Sequence, residues 1–138
     1  MRKGFTLVEL LIVLAVIAAL MSVATPLALN AVRNAKANQV AQNFRNIKSA
    51  VENYWNVEKP NPTAPIGPAQ LVPNYLSNMP ANFSLTGPRA GSQPGVYNVT
   101  IIYSAKDVHG DDVRKNGLGE VSGTTGDLTL TFSLQKWW

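Results

Sequence analysis

Hydrophobic residues dominate the first part of the chain without interruption. Residues 5–29 are mainly Leu, Val, Ile and Ala, and Glu9 is the single charge among them. A helix of this length extends about 37 Å, which is enough to cross a hydrocarbon core of about 30 Å. Residues 5–29 are therefore predicted to form a transmembrane helix.

The helical pattern continues past this segment as an amphipathic stripe. Its apolar positions recur at steps of three and four, with polar side chains between them. These positions are Val40, Phe44, Ile47, Val51 and Tyr54. Residues 30–58 are therefore predicted to be the second half of one helix that begins near Phe5. Pro60 ends the helix, because the residue before a proline avoids the α region. Pro26 lies inside the helix and has no N–H to donate, so a kink or local unwinding is predicted there.

Residues 59–95 have a different composition. Eight of the nine prolines lie between residues 60 and 94, which predicts a connecting loop that is largely irregular. A short helical turn over residues 69–75 and a short strand over residues 83–85 are predicted within it. Apolar side chains are expected to anchor the loop, and they are Leu71, Val72, Tyr75, Leu76 and Phe83.

Residues 96–138 are predicted to form an antiparallel sheet. Apolar and polar side chains alternate over residues 96–104 and 128–135, and residues 117–123 are a third candidate strand. The apolar side of such a sheet needs a cover, which residues 30–58 can supply. The predicted fold class is α+β. A long N-terminal helix is transmembrane in its first half, and its second half packs on a small antiparallel β-sheet of about three or four strands.

Charge and composition exclude several classes of protein. Twelve Lys and Arg against eight Asp and Glu give a formal net charge of +4, there is no cysteine, and His109 is the one histidine. These counts exclude a disulfide framework, a thiol nucleophile and a two-histidine metal site within one chain. No nucleophile–base pair or phosphate-binding loop is visible, so no enzyme is expected. Basic and acidic residues are mixed along the chain, so direct DNA binding is not expected.

The acidic residues around Gly110 are the candidates considered for a metal site. They are Asp107, Asp111 and Asp112. Carboxylate oxygens suit calcium, but the spacing of an EF-hand loop is absent. A solvated hairpin loop is therefore predicted here, and neither a metal nor a cofactor is expected.

The chain begins with a short basic tip, because residues 2–9 read Arg-Lys-Gly-Phe-Thr-Leu-Val-Glu. Arg2 and Lys3 ahead of a membrane segment favour the cytoplasmic side for this end. Gly4 leaves an unhindered peptide bond for a protease. A carboxylate such as Glu9 inside a membrane helix costs about 2.5–3.5 kcal/mol on insertion scales, so it needs a partner.

This basic tip and the apolar run behind it resemble the class III prepilin signal of type IV pilins and pseudopilins. The resemblance implies a type IV pilin fold and a leader peptide of residues 1–4. It implies cleavage between Gly4 and Phe5 by prepilin peptidase, which then methylates the new amine of Phe5. It also implies that Glu9 meets the terminal amine of a neighbouring subunit during assembly, and that the helix melts locally at Pro26 in the filament.

The same resemblance implies a location and partners. The precursor is expected in the inner membrane, and the mature chain in a homo-oligomeric helical filament, either a cell-surface pilus or a periplasmic pseudopilus. An assembly ATPase and an inner-membrane platform protein are the implied partners. The expected function is a structural subunit of a type IV pilus or pilus-like filament, with motility, DNA uptake and secretion all open as roles.

Alternatives stay open at this point. A pseudopilin of a type II secretion or DNA-uptake system fits the same signal, and the chain lacks the cysteine pair of many pilins. A more distant alternative is a soluble secreted protein with an ordinary signal peptide, cut after Ala24. Glu9 within the apolar run, and helical periodicity continuing past Ala24, argue against that alternative.

Overall fold

The computed structural model describes residues 4–138 and contains three helices and a four-stranded antiparallel sheet. In chain order the elements are α1 (Leu7–Glu58), α2 (Pro68–Leu71), β1 (Phe83–Ala90), β2 (Val96–Tyr103), α3 (Gly110–Lys115), β3 (Val121–Ser122) and β4 (Leu128–Gln135). This is the predicted α+β, type IV pilin-like arrangement. Arg2, Lys3 and the rest of the predicted leader before Gly4 lie outside the described residues.

The chain divides into two compact units, one ending at Ala35 and the other covering Lys36–Trp138. Helix α1 contributes residues to both units and has 52 residues. It begins two residues later than predicted and ends at Glu58 as predicted. Lys59 follows with a φ of 49°, a left-handed conformation that commonly ends a helix.

The unit Lys36–Trp138 contains the hydrophobic core. Helix α1 contributes a buried stripe at helical spacing: Ala37, Val40, Ala41, Phe44, Ile47, Ala50, Val51 and Trp55. The predicted stripe is thus confirmed, except that Trp55 is buried where Tyr54 was expected and Tyr54 is half-buried. Phe44 meets Phe83 of β1 edge to face, with ring centroids 5.1 Å apart, so helix and sheet share one core.

The sheet has the strand order β1-β2-β4-β3, and every pairing is antiparallel. Strand β4 buries alternate residues, as a strand with one covered face must. The buried residues of β2 and β4 are Val99, Ile101, Tyr103, Leu128, Leu130, Phe132 and Leu134. The predicted inward faces of both strands are therefore confirmed.

Three local features differ from the sequence-based expectation. Strand β1 extends to Ala90, so the sheet begins well before residue 96, and its pairing with β2 is irregular between Thr86 and Arg89. The third strand is only Val121–Ser122. The segment expected to be a solvated hairpin loop contains α3 instead.

Close backbone approach explains why α3 forms where a loop was predicted. Gly110 donates its N–H to the Thr124 carbonyl at 2.9 Å, and a Cβ on Gly110 would clash with the Gly123 carbonyl. Arg114 donates to the carbonyls of Val121 and Gly123, each at 2.9 Å. These contacts join residues distant in sequence, which local propensity does not reveal.

Candidate processing and assembly segment

The peptide bond between Gly4 and Phe5 lies ahead of the helix. Residues 4–6 have no regular secondary structure, and the Phe5 side chain is 86% exposed. A Cβ placed on Gly4 would meet no atom within 4 Å. The bond predicted to be cut is therefore in an open, non-helical stretch, where a protease can bind the backbone in extended form.

Helix α1 begins with a capping box formed by Thr6 and Glu9. The Glu9 backbone N–H donates to Thr6 Oγ1 at 3.2 Å, and the Thr6 N–H donates to Glu9 Oε2 at 2.9 Å. Each side chain thus satisfies a backbone donor that the first helical turn leaves free. The negative charge also lies at the positive end of the helix dipole, which is favourable. The Glu9 carboxylate is held by its own chain before any partner arrives.

Two of the predicted processing and assembly residues, Phe5 and Glu9, lie close together at this end of the chain. Phe5 and Glu9 line one hollow with Leu10, Ile12 and Val13. Pro26 lies farther along, inside α1. Because proline has no N–H, the Ser22 carbonyl lacks its usual helical donor at this position.

The surface of residues 5–29 is mainly apolar, and residues 5–35 are all exposed. Helix α1 is long and apolar enough to cross a membrane, and 0% of its most apolar 18-residue stretch is buried. The exposed large side chains here include Leu7, Leu11, Leu14, Ile17, Leu20 and Leu27. A helix that is apolar on all sides requires a lipid or protein environment. The absence of burial distinguishes it from the core helix of a soluble domain.

The three aspartates considered as metal ligands are directed to separate partners. Asp107 accepts a hydrogen bond from Tyr103 Oη at 2.6 Å and lies 3.4 Å from Lys36 Nζ. Asp111 pairs with Arg114, and Asp112 lies 3.6 Å from Lys115 Nζ. Across residues 4–138 no group of three His, Cys, Asp or Glu side chains is placed to hold a metal ion. These carboxylates form ion pairs that stabilise the local fold around α3.

Two of these contacts change the pKa values of the groups involved. The hydrogen bond from Tyr103, with the nearby Lys36 ammonium, lowers the pKa of Asp107. Burial and the same hydrogen bond raise the pKa of Tyr103. The Arg114 guanidinium lowers the pKa of Asp111. All three effects favour the protonation states that these residues have at neutral pH.

Thr6 is the residue of this segment that the sequence analysis did not assign. The sequence does contain a signal for its role, because Thr6-Leu7-Val8-Glu9 has the spacing of a capping box before an apolar run. The sequence-based expectation for Glu9 is a membrane carboxylate that pairs with the terminal amine of Phe5, in its own or a neighbouring chain, and it does not include the Thr6 backbone. The geometry adds an internal partner that is available from the start.

Comparison with known proteins bears on the same segment. Residues 1–25 match the family model described as the prokaryotic N-terminal methylation motif. No curated protein and no solved structure matches the chain. The motif and the uncovered apolar helix support a membrane-anchored precursor. The chain therefore carries the class III prepilin signal of type IV pilins and pseudopilins at its N-terminus.

Proposed function

We propose that this chain is a structural subunit of a type IV pilus or pilus-like filament. Prepilin peptidase cuts it after Gly4 and methylates Phe5, and residues 5–29 then leave the bilayer to form the filament core. The carrying observation is that the methylation motif, residues 1–25, includes the first turns of a helix whose apolar surface there is uncovered on every side. Copies of the chain packed side by side would replace lipid on that surface.

In this proposal residues 1–4 are the leader, and residues 30–58 are the part of the helix that packs on the sheet. Residues 59–95 are the connection, which also contains β1, and residues 96–138 contain the other three strands. The filament consists of many copies of this chain. Its assembly requires an ATPase and a platform protein of the inner membrane. The filament is a pilus on the cell surface; a periplasmic pseudopilus of a secretion or DNA-uptake system is the alternative.

Glu9 sets the register between neighbouring copies in this proposal. A copy placed out of register would bury a carboxylate without a cation, which is costly in an apolar environment. In the correct register the carboxylate faces the methylated amine of a neighbouring Phe5. Thr6 holds the carboxylate in the meantime through the 2.9 Å hydrogen bond at the helix start.

Three variants separate the charge of Glu9 from its capping role. Glu9→Leu removes both, Glu9→Gln keeps a side chain that can cap but removes the charge, and Thr6→Val keeps the charge but removes the hydroxyl acceptor. We expect Glu9→Leu and Glu9→Gln to be cleaved normally and to give little filament, while Thr6→Val gives filament in reduced amount. The measurement is the quantity of filament sheared from cells relative to total mature protein.

Two outcomes would contradict the proposal that Glu9 sets the register between neighbouring copies. If Glu9→Gln assembles as well as the unmodified chain, the negative charge is not required and the side chain at this position acts only as a helix cap, through the Thr6 N–H. If Glu9→Leu assembles normally, neither role matters for the filament. Uncleaved precursor in any of the three variants would show a processing defect, so the N-terminus of each is determined in the same samples.

A further inference from the structure

The unit Lys36–Trp138 has one exposed tryptophan, and it is held in a fixed orientation. The indole of Trp137 is 60% exposed, and Val57 is the other large hydrophobic side chain exposed in this unit. Trp137 Nε1 donates to Asn56 Oδ1 at 3.1 Å, and Lys59 Nζ lies 4.6 Å from the ring centroid. Trp138 meets the same ring edge to face at 5.8 Å. Three contacts therefore orient a ring that water still reaches.

A groove of about 310 Å³ lies beside this ring, at the lower end of the size range of small-ligand sites. It runs between the last turns of α1 and the end of β4. Its lining is Glu52, Trp55, Asn56, Ser133, Leu134, Gln135 and Trp137. The groove thus combines an aromatic wall with carboxylate and amide side chains.

The polar groups of the groove have hydrogen-bonding capacity left over. The Glu52 carboxylate is half-buried and has no hydrogen bond or ion pair within residues 4–138. Asn56 uses its Oδ1 for Trp137, which leaves its two N–H donors. A ligand with several hydroxyl groups would satisfy both the acceptors and the donors.

The charges near the groove indicate that this ligand is neutral. Glu52 is the one ionisable side chain in its lining, and the Lys59 ammonium lies against the Trp137 ring. One negative and one positive charge favour neither an anion nor a cation overall. The ligand must also present an apolar face to the indole.

We propose that this groove binds a pyranose ring of a neutral saccharide. Such a ring has an apolar C–H face that can stack on the face of Trp137 opposite the Lys59 ammonium, and equatorial hydroxyl groups that donate to Glu52 and accept from Asn56. A fixed tryptophan loses little conformational entropy when it makes such a contact. The site belongs to the folded unit, so it does not depend on the filament proposed above.

Titration calorimetry on the full chain tests this site, with cellotriose, maltotriose and N-acetylated chitotriose as probes. The chain is dispersed in a zwitterionic detergent without a sugar headgroup, because a glucoside detergent would compete. We expect at least one probe to bind with a Kd in about the millimolar range or tighter. Trp137→Ala should weaken that binding about tenfold or more, and Glu52→Gln by roughly tenfold. Trp137→Phe, which keeps a smaller ring, should fall between Trp137→Ala and the unmodified chain.

Val57→Ala is the matched control, since it removes the neighbouring exposed hydrophobic side chain outside the groove, and it should bind as the unmodified chain does. Thermal unfolding of each variant checks that the core is intact. Binding of none of the three probes overturns the proposal, and so does equal binding by Trp137→Ala. If no probe binds and Trp137→Ala reduces self-association of the dispersed chain, the ring is a contact between copies instead.

Discussion

Two stretches of helix α1 differ in what covers their apolar side chains. From Leu7 to residue 35 every residue is exposed, and apolar side chains occur all round the helix. From Ala37 to Trp55 the apolar residues form one stripe, and eight residues are buried by the rest of the unit. An all-round apolar surface cannot be covered by one side of a small domain, so it depends on an environment outside the chain. A stripe is covered by a single sheet.

The polar groups of the two stretches differ in the same way. In the second stretch, charged side chains pair across the fold: Lys48 lies 3.7 Å from Glu120, and Arg45 donates to the Asn116 carbonyl. In the first, Glu9 is satisfied by the backbone of its own first turn. A cap of this kind needs no second element.

The largest expected difference between the stretches concerns core packing. Phe44 is 0% exposed and contacts Phe83, so Phe44→Ala should lower the free energy of unfolding of the unit by about 3–5 kcal/mol. Leu14 is 61% exposed, so Leu14→Ala should leave that unfolding unchanged. Urea titration in detergent, followed by tryptophan fluorescence, measures both. Equal losses in the two variants would contradict the division into covered and uncovered stretches.

A charge placed in each stretch tests which of them requires an apolar environment. Leu14→Arg should disfavour membrane insertion by about 2.5–3.5 kcal/mol, because an arginine near the centre of a membrane helix is costly. Asn46→Arg adds the same side chain at an exposed site of the second stretch and should not affect insertion. The fraction of each precursor that resists carbonate extraction from membranes is the readout. Full membrane retention of Leu14→Arg would argue against a spanning helix.

The smallest expected effect is a pH dependence confined to the folded unit. The folded-state pKa of Asp107 is lowered by Tyr103 and Lys36, so its contribution is present above the unfolded pKa of about 3.9 and is lost as pH falls through the lower folded value. The Asp107 side chain is 42% exposed, so the contribution should not exceed about 1 kcal/mol. Thermal unfolding between pH 6 and pH 2 measures it.

Two variants check the source of this acid sensitivity. Asp107→Asn should reduce the loss of stability on acidification, because the titrating group is gone. Tyr103→Phe should reduce it as well, because the hydroxyl that donates to the carboxylate is absent. An unchanged acid response in both variants would show that other carboxylates account for it.

The helix and the central strands were predictable because their signals are local. The bounds of α1 follow from a long apolar run, a stripe at helical spacing and Pro60. The inward faces of β2 and β4 follow from alternation of apolar and polar side chains, which is strict only in β4. Strand β1 was predicted only in part, because Gly87 and Pro88 read as a strand end. The strand continues past them through an irregular pairing with β2.

Other features depend on contacts that the sequence does not display. Helix α3 is fastened by Arg114 and by the approach of Gly110 to Gly123 and Thr124. The groove beside Trp137 exists because the chain end returns to the last turns of α1. Neither contact has a local pattern. The capping box of Thr6 and Glu9 does have a local sequence pattern, but the sequence-based expectation for Glu9 concerned only its charge in the membrane.

Mass spectrometry of the N-terminal peptide is the most direct test of the central claim, that this chain is a prepilin which matures into a filament subunit. The protein sheared from cells and the protein left in membranes are compared, with Gly4→Ser as the unprocessed control. That variant should not disturb the fold, because a Cβ at Gly4 meets no atom within 4 Å. We predict a peptide that begins with N-methylated Phe5 in the sheared fraction, and the same peptide found only in membranes would indicate a pseudopilin. A peptide that begins at Thr25, or at an uncleaved Met1, would contradict the claim.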